Sequence, residues 1–357
     1  MTNNIRKIQE ALRQRKLDAI LITDEKNQRY AAHFAFMDGA VVVTRGGAWL
    51  ITDSRYIEAA QQQAQGVQVV LYDRRRPLTS CIKDILRAER VYALAAEDTK
   101  LSHARYLALE RELGLELSCA GDLFERLRAS KDEDEISSMI DAQRISERAL
   151  EEVLRIIRPG MTEREVASEL VYRMLRHGSE GNSFDPIVVT GTKTSVPHGV
   201  PGDRVIREGD FVTMDFGSTK NGYCSDMTRT VAVGYATDEM KNVYDTVLRA
   251  QLAGISAARA GVLGRDIDAA ARKVIADAGY GEYFGHGFGH SLGLDVHEWP
   301  SANPSGNTPM PVGAVCSAEP GIYLPGRFGV RIEDVVIIRE GGCENITKAP
   351  KELLILG

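Results

Sequence analysis

At 357 residues the chain exceeds what one ordinary domain needs, so two domains, each able to bury its own core, are the expectation. A hydrophobic content of 43% with 26% charged residues excludes a disordered or fibrous chain, and a net charge of -6 argues against nucleic acid as the main partner. Five cysteines without a CxxC spacing exclude a disulfide framework. The leading residues Met1 to Lys7 carry no apolar signal core, and no run approaches the roughly 20 apolar residues that span a bilayer. These features read as a reduced, cytoplasmic protein with no membrane partner.

In chain order, residues 5–15 have helical spacing and residues 18–23 read as a short buried strand. Residues 40–44 and 48–52, joined through Gly46-Gly47, read as a hairpin. Asp53-Ser54-Arg55-Tyr56 then opens a helix to about residue 65, and residues 67–72 and 91–95 are further strands. This pattern is an α/β domain, assigned residues 1–128. The charged run 131–135 starts a helix, because acids favour a helix N-terminus, and this helix is expected to run to Pro159-Gly160. Thr162 and Glu165 form a capping-box pattern ahead of a helix ending near Gly178. From about Phe184 strands and turns dominate, interrupted by helices over 238–260 and 266–278. The second domain is assigned residues 129–357.

Acids recur there inside apolar stretches. Asp215 sits in Phe-Val-Thr-Met-Asp-Phe-Gly, residues 211–217. A buried carboxylate is costly unless it is paired or holds a metal. Asn221-Gly222 between apolar runs is a strong hairpin signal. A turn there puts Asp226 opposite Gly217, diagonal to Asp215; a turn at Lys220-Asn221 puts it opposite Asp215. Either register leaves both carboxylates on one face. Glu319 follows an apolar stretch in Ser-Ala-Glu-Pro-Gly, where the proline holds it extended. Glu333 lies in residues 330–338, whose alternation places Arg331 and Glu333 on one face of a strand and Ile332 on the other. The alternative for Glu333 is a surface strand residue beside Arg331. His290 lies in a glycine-rich loop, 285–293, whose glycines lack the dinucleotide-binding register and permit close approach of the backbone. His198 and His297 flank these segments, and His297-Glu298 is not a zinc-protease HExxH because residue 301 is Ser. His33, His103 and His177 read as ordinary polar residues. Four carboxylates and one imidazole, brought together, would repel one another unless cations lay between them. That pattern points to two divalent metals and to hydrolysis by an activated water.

The segments resemble those of the pita-bread metallopeptidases, the family of methionine aminopeptidase, aminopeptidase P and prolidase. The two-aspartate motif is Met214-Asp215-Phe216-Gly217 with Asp226-Met227-Thr228-Arg229-Thr230. The histidine motif is residues 285–293 with Val296-His297-Glu298, and the glutamate motifs are Glu319-Pro320-Gly321-Ile322-Tyr323 and residues 329–334. This resemblance covers about residues 130–357. Thr52-Asp53-Ser54-Arg55-Tyr56 is more loosely similar to the creatinase/prolidase N-terminal domain, which methionine aminopeptidase lacks. The implied fold is an α/β creatinase/prolidase-like domain followed by an α+β pita-bread catalytic domain.

The resemblance implies that Asp215 chelates one metal, that Asp226 and Glu333 bridge two, and that His290 and Glu319 bind the second. It implies a proton-shuttling role for Glu319, contacts of His198 and His297 with the scissile amide, and substrate-binding roles for His286 and Arg331. A donor set rich in oxygen with one imidazole suits Mn²⁺, with Co²⁺ or Zn²⁺ as alternatives. The implied reaction is attack of a metal-bridging hydroxide on the N-terminal peptide bond of a substrate with a free N-terminus and, from the domain combination, proline second. A homodimer is typical of such relatives. The alternatives are a prolidase limited to dipeptides, a broader enzyme that also accepts Met-Xaa peptides, a metal-free amidinohydrolase of the same fold, and a catalytically silent binding module.

Overall fold

The computed structural model describes residues 4–34, 36 and 38–357. Met1 to Asn3, part of the leading segment read above, lie outside the described residues. Two compact units separate at Leu127/Arg128.

In the first unit the buried runs pair into a six-stranded sheet of order β4-β3-β2-β1-β5-β6. The strands are β1 (Ala19–Ile22), β2 (Gly39–Thr44), β3 (Ala48–Thr52), β4 (Gln68–Leu71), β5 (Leu94–Ala96) and β6 (Leu117–Cys119). The hairpin β2–β3 is antiparallel, as its glycine turn suggested, and β1 pairs antiparallel with β2 and parallel with β5. Among the described residues the helices of this stretch are α1 (Asn4–Gln14), α2 (Glu25–Ala32), α3 (Ile57–Gln63), α4 (Leu78–Ala88), α5 (His103–Leu113) and α6 (Leu123–Ala129). Cys81, Ile82, Ile85 and Leu86 of α4 and Leu109 and Leu113 of α5 pack on the sheet residues Leu21, Val42, Leu94 and Ala96.

In the second unit, α7 (Glu133–Leu154) and α8 (Glu163–Arg176) both begin with a full capping box, Asp132 with Glu135 and Thr162 with Glu165. The first helix stops at Leu154, short of the expected Pro159, where Ile156 N turns back only three residues to Val153 O and tightens the final turn. These helices cover a sheet of order β19-β11-β8-β7, made of β7 (Ile187–Thr190), β8 (Phe211–Phe216), β11 (Met227–Val233) and β19 (Ile355–Leu356). Between β8 and β11 lies the small ribbon β9 (Thr219–Lys220) and β10 (Tyr223–Cys224).

A second, five-stranded sheet has the order β13-β12-β14-β17-β18. It comprises β12 (Gly289–Ser291), β13 (Glu298–Ala302), β14 (Val315–Ala318), β17 (Asp334–Arg339) and β18 (Gly342–Asn345). The ribbon β15 (Gly321–Leu324) and β16 (Phe328–Arg331) stands beside it, and α9 (Asp238–Ala257) and α10 (Gly264–Asp277) pack on this half. The alternating run 330–338 is therefore not one strand. It breaks at Ile332 and Glu333, where Arg331 leaves a pairing with Gly321 and Asp334 takes up one with Ala318. No helix among the described residues is long and apolar enough to cross a membrane.

Candidate metal centre

The hairpin β8–β11 positions two acids. Asn221 (φ 51°) and Gly222 (φ 78°) form its turn, a pair of positive φ values that glycine and asparagine tolerate. Of the two turns the sequence allowed, this is the one formed. Lys220 opposes Tyr223, and the same register carries through to Phe216 opposite Met227 and Asp215 opposite Thr228. Asp215 and Asp226 thus share one face and are both buried.

The second sheet supplies the rest. His290 lies on β12, Glu319 follows β14, and Glu333 occupies the break before β17. The glycine at the start of β12 allows a close approach, but to a neighbouring strand: a Cβ on Gly289 would lie 2.1 Å from Ser317 O. Ligand atoms of Asp226, His290 and Glu333 lie within 4.8 Å of one another. His290 Nε2 is 3.2 Å from Glu319 Oε1 and 3.7 Å from Asp226 Oδ2. All five side chains line one cavity of about 550 Å³, together with His198, His286, His297 and Arg331. His33, His103 and His177 lie on other elements, at the end of α2, the start of α5 and the end of α8.

Three carboxylate oxygens in this cluster, Asp215 Oδ1, Asp226 Oδ1 and Glu333 Oε1, are buried without a hydrogen-bond partner. Each such atom costs several kcal/mol unless something compensates it. Divalent cations between them would do so, and the hard oxygen donors with one imidazole fit such ions. Their electrostatics tell the same story. Burial, then the charges of Glu333, Asp215 and Glu319, pushes the Asp226 carboxyl well above its ordinary value. Burial and Glu319 do the same to Glu333. Asp215 is also raised, by burial, although Arg331 Nη2 donates to its Oδ2 at 2.6 Å. Glu319 goes the other way: against burial, the hydrogen bond and charge of His290 hold it at about 2. Without cations, Asp226 and Glu333 therefore release their protons less readily than ordinary carboxyls.

Several neighbours fix these ligands, and the sequence reading assigned them no role. Thr228 Oγ1 donates to Glu333 Oε2 at 2.7 Å and accepts from Arg331 Nε at 3.1 Å. Ser317 Oγ donates to Glu319 Oε1 and accepts from His290 N, both at 2.9 Å. His290 Nδ1 meets Ser291 O at 3.1 Å, which leaves Nε2 to face the acids. Arg229 donates to Glu333 O and to Asp334 Oδ1 behind the site. Tyr323 Oη joins the two substrate-site residues, 2.9 Å from His286 Nε2 and 2.9 Å from Arg331 Nη1. Thr228 and Tyr323 stand inside the motifs already quoted. A polar side chain on the same strand face as a ligand was the signal that could have marked Thr228.

Comparison with known proteins places this fold and site among described families. The model of metallopeptidase family M24 matches residues 137–340, and that of the creatinase/prolidase N-terminal domain matches residues 4–130. The uncharacterized peptidase YqhT of Bacillus subtilis (strain 168) is 38% identical over 353 residues, 99% of each chain. Among solved structures, an Xaa-Pro dipeptidase from Bacillus anthracis matches with a TM-score of 0.95 at 41% identity, covering 99% of each chain. An X-Pro aminopeptidase from Thermotoga maritima MSB8 matches with a TM-score of 0.92 at 36% identity, covering 97% of this chain and 99% of that one.

Proposed function

Because this chain belongs to metallopeptidase family M24, we propose that it is an exopeptidase that hydrolyses the N-terminal peptide bond of Xaa-Pro peptides. Two divalent cations, Mn²⁺ for preference, are held by Asp215, Asp226, His290, Glu319 and Glu333. The observation that carries this reading is the group of three buried, unpartnered carboxylate oxygens on Asp215, Asp226 and Glu333 within a single cavity. When bound, such cations supply Lewis acidity and lower the pKa of water towards neutrality.

The chain's own groups do the rest. The acids of the centre attract the substrate's free ammonium. Glu319, an anion in the cation-free state, accepts the proton that water gives up and delivers it to the leaving amine. His198 and His297 line the cavity and donate to the carbonyl oxygen as it gains charge, a contribution of roughly 10²–10³ in rate. Phe184, Ile187 and Val200 offer an apolar wall to the proline ring. Arg331, with His286 behind it through Tyr323, meets the carboxylate end of the substrate. The residues assigned to this catalytic domain are 129–357, with 1–128 as its N-terminal companion. A cytoplasmic homodimer completes the reading, and light scattering checks the dimer.

The test is a panel of Xaa-Pro dipeptides, longer Xaa-Pro peptides and Met-Xaa peptides, assayed after chelation and after return of Mn²⁺, Co²⁺ or Zn²⁺. Cleavage of Xaa-Pro bonds that vanishes and returns with the ion is expected. Cleavage confined to dipeptides narrows the enzyme to a prolidase. Full turnover after chelation, or no cleavage of any Xaa-Pro peptide with two ions bound, overturns the proposal.

A further inference from the structure

The segment ahead of α7 carries two cationic side chains into the interior of the second unit. Arg128 and Lys131 have side chains 8% and 1% exposed, and the Glu298 side chain between them is 6% exposed. Arg128 donates to Glu298 Oε1 from Nη2 and, at 3.2 Å, from Nε. Its Nη2 also donates to Asp295 Oδ2 at 2.7 Å. Lys131 Nζ donates to Glu298 Oε2 at 3.0 Å, and Asp295 N donates to Glu298 Oε1 at 3.1 Å. Both oxygens of one carboxylate are thereby taken. Against burial, Lys131 and Arg128 hold this carboxyl below its ordinary range. The loop closes directly on it, since a Cβ on Gly293 would lie 2.8 Å from both Glu298 oxygens. The cationic segment is itself anchored, by Lys131 N donating to Gly313 O at 2.9 Å.

A buried ion cluster is weak evidence for stability, because desolvation offsets much of the attraction. Its position in the chain says more. His297 precedes Glu298 directly, and its ring centroid lies 4.1 Å from that of His290. Among the described residues no hydrogen bond holds the His297 ring. Its placement depends on the backbone of the loop 293–298, which also accepts a 2.7 Å hydrogen bond at Gly293 O from Cys224 N, two residues before Asp226.

We infer that Glu298, clamped by Arg128 and Lys131, is a positioning residue that sets His297 over the metal ligands. This role rests on the reading of His297 as a donor to the scissile amide. The two clamping cations lie outside residues 137–340, the span matched to family M24.

Glu298→Gln keeps the side-chain shape and removes the charge. With two ions per chain retained, kcat on an Xaa-Pro peptide should fall on the order of 10²-fold, the cost of a donor displaced by about 1 Å, with KM little changed. Amide hydrogen exchange over residues 293–298 should quicken. In a His297→Ala background the same substitution should cost little more, since both act on one group. Should Glu298→Gln fail to fold, Lys131→Arg and Lys131→Met replace it: the arginine should retain most turnover and the methionine lose it. A folded Glu298→Gln variant with normal kcat, even one with a lowered Tm, overturns the inference, as do equal turnover in the two Lys131 variants and costs that add in full with His297→Ala. If the wild type cleaves no Xaa-Pro peptide, the proposed function fails separately. Exchange, which needs no substrate, then decides: faster exchange in the variant supports the clamp and unchanged exchange refutes it.

Discussion

Asp226→Asn changes the charge of the crowded centre and almost nothing of its shape. Asp226 is 4% exposed, and burial with three acidic neighbours raises its carboxyl well above the ordinary 3.8. A raised folded value means that, without cations, the native form holds a proton the unfolded chain has lost. Stability is therefore full at pH below the unfolded value and is lost as pH rises towards the folded one. Each pH unit crossed costs about 1.4 kcal/mol. Asparagine cannot ionise, so the chelated variant should match the wild type near pH 4 and exceed it at pH 8. Cations reverse the order. One site at a hundredfold excess over its Kd contributes about 2.7 kcal/mol, and two sites about 5 kcal/mol. For a unit spanning residues 128–357, each kcal/mol moves Tm by about 2–4 °C. Mn²⁺ should thus raise the wild-type Tm at pH 8 by roughly 10–20 °C and the variant's by much less. Calorimetry with chelator and with Mn²⁺ reads both effects. A chelated variant less stable than the wild type at pH 8, or equal Mn²⁺ shifts in the two proteins, would refute the reasoning.

Two further substitutions probe the supports. Thr228→Val leaves Glu333 Oε2 and Arg331 Nε without their shared partner, and should weaken cation binding 10–100-fold in a chelator-competition titration; unchanged affinity would remove Thr228 from the ligand support. Thr162→Ala deletes the hydroxyl that accepts from Glu165 N at the start of α8, and should lower stability by about 1 kcal/mol with turnover intact.

Local chemistry made part of this structure legible. The Asn221-Gly222 turn sets a register that the strands keep as far as Asp215, so the sequence pattern alone places two acids on one face. Capping at Thr162 worked for the same reason: its partner is three residues away. The helix α2 leaves little sign in the sequence because Glu25-Lys-Asn-Gln-Arg-Tyr-Ala-Ala has little apolar periodicity; its start depends on Asp24, whose side chain accepts from Asn27 N. The break at Ile332-Glu333 was hidden by unbroken alternation over 330–338, and only pairing with two different partners, Gly321 and Ala318, reveals it. The break changes what Glu333 faces: with 1% exposure it is no surface residue. Contacts such as Lys131 with Glu298, 167 positions apart, leave no local trace.

The acids of the hairpin belong to one sheet, while His290, Glu319 and Glu333 come with the other. On the proposed ligand set, neither half alone supplies all five donors. The complete two-ion site therefore exists only once folding has brought the two sheets together.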